Sequence, residues 1–176
     1  MNTAQQAIGV FDSGIGGLSV LQALRAELPH ERFVYLADSA NAPYGERSSE
    51  FVAERSHAIA AHLVAQHHIK ALVVACNTAT AHAVQTLRQT WPELPLIGIE
   101  PALKPATQIS RTGHIGIMAT RATVQSAKFQ QLLHTWRGTC QVQVQACNGL
   151  ALAIETRLTG KPTPTAKPSK ACASVT

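Results

Sequence analysis

The sequence predicts an α/β fold, a parallel sheet with helices on both faces, on two observations. Short apolar, β-branched runs alternate with stretches of helical period, and the runs are apolar at successive positions, as strands covered on both faces require. A third observation sets the extent: the alternation continues past Glu100-Pro101 and then gives way to a proline-rich stretch, so a first domain is followed by an incomplete second one.

Element by element, Ile8-Gly9-Val10-Phe11 reads as the first strand, Leu18 to Leu28 as a helix, Phe33-Val34-Tyr35-Leu36 as a strand and Phe51 to Val64 as a helix. The strand Ala71-Leu72-Val73-Val74-Ala75, a helix over about 80–87, the strand Leu96-Ile97-Gly98-Ile99 and a weaker helix over about 102–109 follow. Beyond them come the strand Ile115-Gly116-Ile117-Met118, one helix from Val124 to Trp136, an alternating strand around Val142 and Val144, and a helix over Leu150 to Ile154. Residues 1–100 form the first expected domain and 101–155 a partial second one. The stretch 156–176 carries Pro162, Pro164 and Pro168 with almost no large apolar side chain, so it reads as a disordered, aberrant tail of a chain truncated or frame-shifted near Glu155.

The totals narrow the class. Of 176 residues, 45% are hydrophobic and 14% charged, an ordinary globular balance that can bury a core. No uninterrupted apolar run reaches membrane-spanning length and the N-terminus lacks a secretory pattern, which predicts a cytoplasmic protein without a membrane partner. The formal charge of +5 comes from scattered Lys and Arg, a solvated surface rather than a nucleic-acid groove. Four cysteines without a Cys-x-x-Cys pair suggest free thiols, with neither a disulfide framework nor a metal site.

Three loops carry chemistry. Asp12-Ser13-Gly14-Ile15-Gly16-Gly17 follows the first strand and offers a carboxylate, a hydroxyl and backbone N–H groups at the edge where ligands bind. It could hold an anion, or Asp12 and Ser13 could simply cap the next helix. Ala37-Asp38-Ser39-Ala40-Asn41-Ala42-Pro43-Tyr44-Gly45 ends the second strand and by itself is a Pro-Gly loop. Cys76-Asn77-Thr78 follows the third. There a helix N-terminus is expected to lower a thiol's pKa and favour the thiolate, the alternative being an inert buried cysteine. A cysteine hydrolase would need a histidine against Cys76, and the histidines fall mostly on helix surfaces. A pyridoxal-phosphate enzyme would need a lysine in one of these loops, and none is there.

In order and spacing these three segments resemble the signatures of glutamate racemases in the aspartate/glutamate racemase superfamily, and the resemblance runs on through Gly116 to Val124 and Gly149 to Glu155. It implies a two-domain pseudo-symmetric racemase fold and an isomerase that interconverts L- and D-glutamate for peptidoglycan without any cofactor, using two cysteines on opposite faces of the substrate. On that resemblance Cys76 is the first cysteine and Asp12 the carboxylate that assists it. Ser13, Pro43, Tyr44, Gly45, Asn77, Thr78, Thr120 and Thr123 take substrate-binding positions, and Glu155 is the supporting carboxylate of the second half-site. Glutamate is the implied small-molecule partner, and a homodimer is compatible with the family. The chain departs from the pattern where the second cysteine belongs: Cys172 lacks the following Thr-His pair, and Cys140 and Cys147 match no catalytic position. A non-catalytic remnant that binds glutamate weakly or contacts a protein, and an aspartate-type racemase, are the competing readings.

Overall fold

The computed structural model describes residues 5–160, and the chain divides into two compact units, Met1–Glu100 and Pro101–Thr176. In the first unit the order is β1 (Ile8–Asp12), α1 (Leu18–Glu27), β2 (Phe33–Ala37), α2 (Ser49–His67), β3 (Ala71–Val74), α3 (Asn77–Thr90) and β4 (Leu96–Gly98). A single 3-10 turn, Tyr44–Glu46, precedes α2.

The four strands are all parallel, in the order β2-β1-β3-β4. The period-two alternation of side chains sends Ile8, Val10, Val73 and Ala75 to one face, where they meet Val20, Leu21 and Leu24 of α1. Phe11, Leu72 and Val74 go to the other, against Ile59 and Leu63 of α2 and Val84 and Leu87 of α3. Leu63, Leu72 and Leu87 are fully buried, and each such side chain contributes roughly 1.5–3 kcal/mol of transfer free energy. Chain direction across the sheet reverses between β1 and β3, so the loops leaving these adjacent strands open a crevice at the carboxyl edge.

Helix ends explain where the expected boundaries moved. Ser48 caps α2 by accepting the Phe51 N–H, which starts that helix two residues earlier than its apolar pattern, and His68 ends it in the left-handed region at φ 47°. The helix expected from Thr80 begins at Asn77, because the Cys76 sulfur accepts the Ala79 N–H as the cap.

The second unit contains α4 (Leu103–Ile109), β5 (His114–Ala119), α5 (Arg121–Gln125), α6 (Ala127–Trp136), β6 (Gln141–Ala146) and α7 (Leu150–Thr159). Strands β5 and β6 pair in parallel with Ile115 opposite Val142 and Ile117 opposite Val144. The helix expected over Val124 to Trp136 is two helices. Ser126 is extended at ψ 143°, its hydroxyl donates to the Thr123 carbonyl at 2.7 Å and accepts the Phe129 N–H at 3.1 Å, so it caps α6 and ends α5. The irregular tail expected from Thr156 does not begin there. Thr156 is buried inside α7, its hydroxyl donating to the Leu152 carbonyl at 2.6 Å, and the helix runs on to Gly160 at φ 68°. The remainder of that expected tail, with Cys172, lies outside the described residues. No helix among the described residues is long and apolar enough to cross a membrane.

Candidate active site

Asp12 ends β1 with only 6% of its surface exposed. Its Oδ2 accepts the Gly17 N–H at 2.9 Å and the Gly14 N–H at 3.2 Å. Gly17 is the N-cap position of α1 and brings no capping side chain, so the carboxylate supplies the acceptor that the helix start lacks. Of the two readings of this loop, the capping one is seen directly, through Oδ2. A side chain at Gly17 would force its surroundings to shift, since a Cβ there would stand 2.6 Å from the Asp12 Cβ, 3.0 Å from the Tyr35 hydroxyl and 3.1 Å from the Ala75 Cβ. Tyr35, on β2, donates its hydroxyl to the Gly14 carbonyl at 2.9 Å and so braces the same loop from the neighbouring strand.

Cys76 stands at the mouth of the adjacent strand. Register brings it there: Phe11 pairs with Val74, and the Ala75 N–H donates to the Phe11 carbonyl at 2.7 Å. The sulfur lies 3.5 Å from Ser13 Oγ and 3.5 Å from the Ala79 nitrogen. Among the described residues no histidine hydrogen-bonds to it.

The thiol behaves differently from its sequence-based expectation. Burial pushes it above its ordinary value, the Asp12 carboxylate adds to that, and hydrogen bonds from Ser13 and the Ala79 N–H act in the opposite sense without offsetting them. Magnitudes explain the outcome. A helix N-terminus is worth about 0.3–1 kcal/mol to a nearby anion, less than the about 1.4 kcal/mol that corresponds to one pKa unit, whereas full burial can move a group by about 3–5 units. Cys76 rests as a thiol.

The third loop is built inward. Tyr44 is 1% exposed, its ring packed against Phe11 and Phe51, and its hydroxyl donates to Asp38 Oδ2 at 2.6 Å. Burial and that hydrogen bond drive the phenol far above its ordinary value. Gly45 is buried beside it and Pro43 is half-buried, following a cis Ala42-Pro43 bond. Burial acts to raise the Asp38 carboxyl, and hydrogen bonds from Arg55, Tyr44 and Asn41 outweigh it, leaving the group below its usual range. Of the remaining positions in this unit, Thr78 is buried at the start of α3 and Asn77 is exposed.

In the second unit Thr120 caps α5, accepting the Thr123 N–H at 3.3 Å with the two hydroxyls 3.0 Å apart; Thr123 is buried and Thr120 half-buried. Thr120 follows β5 directly, as Asp12 ends β1 and Cys76 follows β3. Glu155 is half-buried on α7. Cys147 is buried just after β6, its sulfur 3.7 Å from the Gln145 carbonyl, and Cys140 is half-buried. Among the described residues no three His, Cys, Asp or Glu side chains gather as a metal site would require.

Sequence reading passed over Asp38, Arg55 and Tyr35. Asp38 carried the same signal as Asp12, an acid directly after an apolar strand. Nothing in the sequence links Arg55 to it across 17 positions, and strand alternation alone put Tyr35 on the α1 face.

This chain is 51% identical over 155 residues to the glutamate racemase of Ectopseudomonas mendocina, an alignment covering 88% of this chain and 59% of that protein. Its structure is similar to the Escherichia coli glutamate racemase crystallised with L-glutamate and the activator UDP-MurNAc-Ala (TM-score 0.81, 33% identity, 90% of this chain and 60% of that one). It is similar also to glutamate racemase isoform RacE1 of Bacillus anthracis (TM-score 0.77, 37% identity, 89% and 59%). The chain thus spans about three-fifths of the length of these relatives. The sequence profile described as Asp/Glu/Hydantoin racemase matches residues 16–171, and the chain belongs to that family.

Proposed function

We propose that this chain carries the D-glutamate half of a glutamate racemase site, with Cys76 as the proton-transfer residue and Asp12 as the carboxylate that assists it. The observation that carries the reading is the pairing of a buried thiol with a buried carboxylate at neighbouring strand ends, Ser13 lying 3.5 Å from the sulfur. A thiol held above its ordinary value is a poor leaving acid at rest but, once deprotonated, a stronger base toward a barely acidic carbon. For D-glutamate, the Asp12 carboxylate takes the Cys76 proton and the thiolate then takes the Cα proton. The S–H bond forms as the C–H bond breaks, and the electron pair passes into the adjoining carboxylate. Exchange of the Cys76 proton with solvent, followed by its delivery back to the same face, gives exchange with retention; delivery of a proton to the opposite face by a second acid gives L-glutamate.

Ser13, Asn77 and Thr78, with the backbone around Pro43, Tyr44 and Gly45, are the proposed substrate contacts on this side, and Thr120 and Thr123 those of the second unit. Glu155 is the proposed support of the second half-site. No residue of this chain is assigned as the second cysteine. The products would enter peptidoglycan synthesis in the cytoplasm, with no cofactor taking part. Glutamate is preferred over aspartate because the Asp12-Ser13-Gly14-Ile15-Gly16-Gly17 run is that of glutamate racemases, and the relatives above carry that name.

Proton NMR in D2O with each enantiomer separately tests this. Loss of the α-proton signal of D-glutamate, abolished by Cys76→Ala, is the expected result. Silence toward both enantiomers, or exchange that survives Cys76→Ala, would refute it.

A further inference from the structure

Asp38 follows β2 with 7% of its surface exposed, and four donors converge on its two oxygens. Arg55 of α2 reaches both, Nε to Oδ2 and Nη2 to Oδ1, each at 2.9 Å. Asn41 Nδ2 donates to Oδ1 at 2.9 Å and the Tyr44 hydroxyl to Oδ2 at 2.6 Å. The backbone closes the same circuit, with the Asp38 N–H on the Asp12 carbonyl at 3.0 Å and the Asn41 N–H on the Asp38 carbonyl at 2.9 Å. The buried carboxylate therefore ties α2 to both ends of the Asn41–Tyr44 loop, and the backbone of the same residue holds them to the end of β1.

Stability alone does not account for this arrangement. Taking a carboxylate out of water costs several kcal/mol, and a well-packed apolar pair of similar volume is on average as stabilising as a buried ion pair. What a bidentate guanidinium supplies beyond an apolar pair is direction, because its planar fork fixes both oxygens. Here the direction is passed to Tyr44, whose ring is already confined by Phe11 and Phe51 and whose hydroxyl has its acceptor inside the protein.

We propose that Asp38 and Arg55 are positioning residues of the glutamate site: their pair holds Tyr44, and through it the Asn41–Gly45 loop, in the ligand-ready arrangement at the carboxyl edge of the sheet. This rests on the reading of that edge as the glutamate site. Neither residue touches substrate. The Tyr44 ring is a wedge beneath the loop, and the loop meets the ligand with its backbone.

The test uses the full chain carrying 13C at the phenol carbon of its two tyrosines, with Tyr44→Phe assigning the two signals. Wild type, Asp38→Asn, Arg55→Met and Arg55→Lys are compared by the pH dependence of the Tyr44 signal and by the Kd for D-glutamate from NMR titration. The Tyr44 signal of wild type is expected to stay flat through the ordinary tyrosine range near pH about 10, and that of Asp38→Asn to titrate at least about one unit lower than wild type. Arg55→Met is expected to weaken D-glutamate binding about tenfold or more, as misplaced contacts do. Arg55→Lys, which keeps the charge and loses the fork, is expected to fall between Met and wild type. Variants that move the Tyr44 signal yet bind D-glutamate like wild type overturn the positioning role and leave the glutamate reading intact. An Asp38→Asn protein with an unmoved Tyr44 signal overturns the network itself. A folded wild-type chain that binds neither enantiomer sinks the glutamate reading and the positioning role with it, even where Tyr44 responds as expected.

Discussion

Replacing Asp12 by Asn isolates the carboxylate's charge from its role in the loop. The amide oxygen of Asn can still accept the N–H groups of Gly17 and Gly14, so the geometry that Oδ2 maintains at 2.9 and 3.2 Å has a substitute while the negative charge is gone. Two effects raise the Cys76 thiol, burial first and the Asp12 charge second, and the substitution removes only the second. A like charge in the immediate neighbourhood of a titrating group, in a protein-like effective dielectric, is worth about 1–3 pKa units. Asp12 supplies the lesser of the two contributions. The ultraviolet absorbance of the thiolate, with a Cys76→Ser protein subtracted to remove the other cysteines, reports the titration directly. Cys76 of Asp12→Asn is expected to ionise at lower pH than wild type, with burial, the larger cause, still holding it above its ordinary value. Exchange of D-glutamate is nevertheless expected to slow, since the proton acceptor for the thiol has been neutralised. A Cys76 titration that does not move, or that moves upward, with folding intact would refute the electrostatic account of this pair.

Two further outcomes follow from the same region. Gly17→Ala forces a Cβ to within 2.6 Å of Asp12 Cβ, and overpacking of this kind costs about 1–3 kcal/mol, read as a lowered urea midpoint; a midpoint equal to wild type would show that the loop has slack. The raised thiol also makes stability pH-dependent. Its folded value lies above its unfolded one, so its contribution is complete below about 8.5 and is lost as pH rises toward the folded value. Cys76→Ala should therefore flatten the alkaline decline in the urea midpoint, and equal slopes in the two proteins would contradict the burial argument.

The alternation of strands and helices was legible because β1 and β3 are apolar at successive positions, and the structure buries them on both faces. Asp12 and Cys76 were legible for a related reason: a polar residue directly after such a run has to lie at the carboxyl edge. Four things escaped. The start of α3 depends on a sulfur acting as a cap, a weak acceptor that no propensity rewards. The break at Ser126 is a cap in the middle of a helical pattern, visible as a serine three residues before Phe129 only to a reader already expecting two helices. The direction of the Cys76 shift and the Asp38–Arg55 pair depend on burial and on distances across the fold, which sequence spacing does not encode.

The capping bond from Ala79 N–H to the Cys76 sulfur joins two matters usually kept apart, the chemical state of a side chain and the order of a helix. A thiolate accepts that bond more strongly than a thiol, so each proton passing through the sulfur tightens or slackens the first turn of α3. Replacing the sulfur by a group that cannot accept, as in Cys76→Ala, would leave the Ala79 N–H without its partner in a buried place, at a cost of about 0.5–2 kcal/mol for a lost cap. Loss of this acceptor would therefore be felt along α3, into the packing of Ala83, Val84 and Leu87 against the sheet. The helix becomes a built-in recorder of what has happened at its first atom.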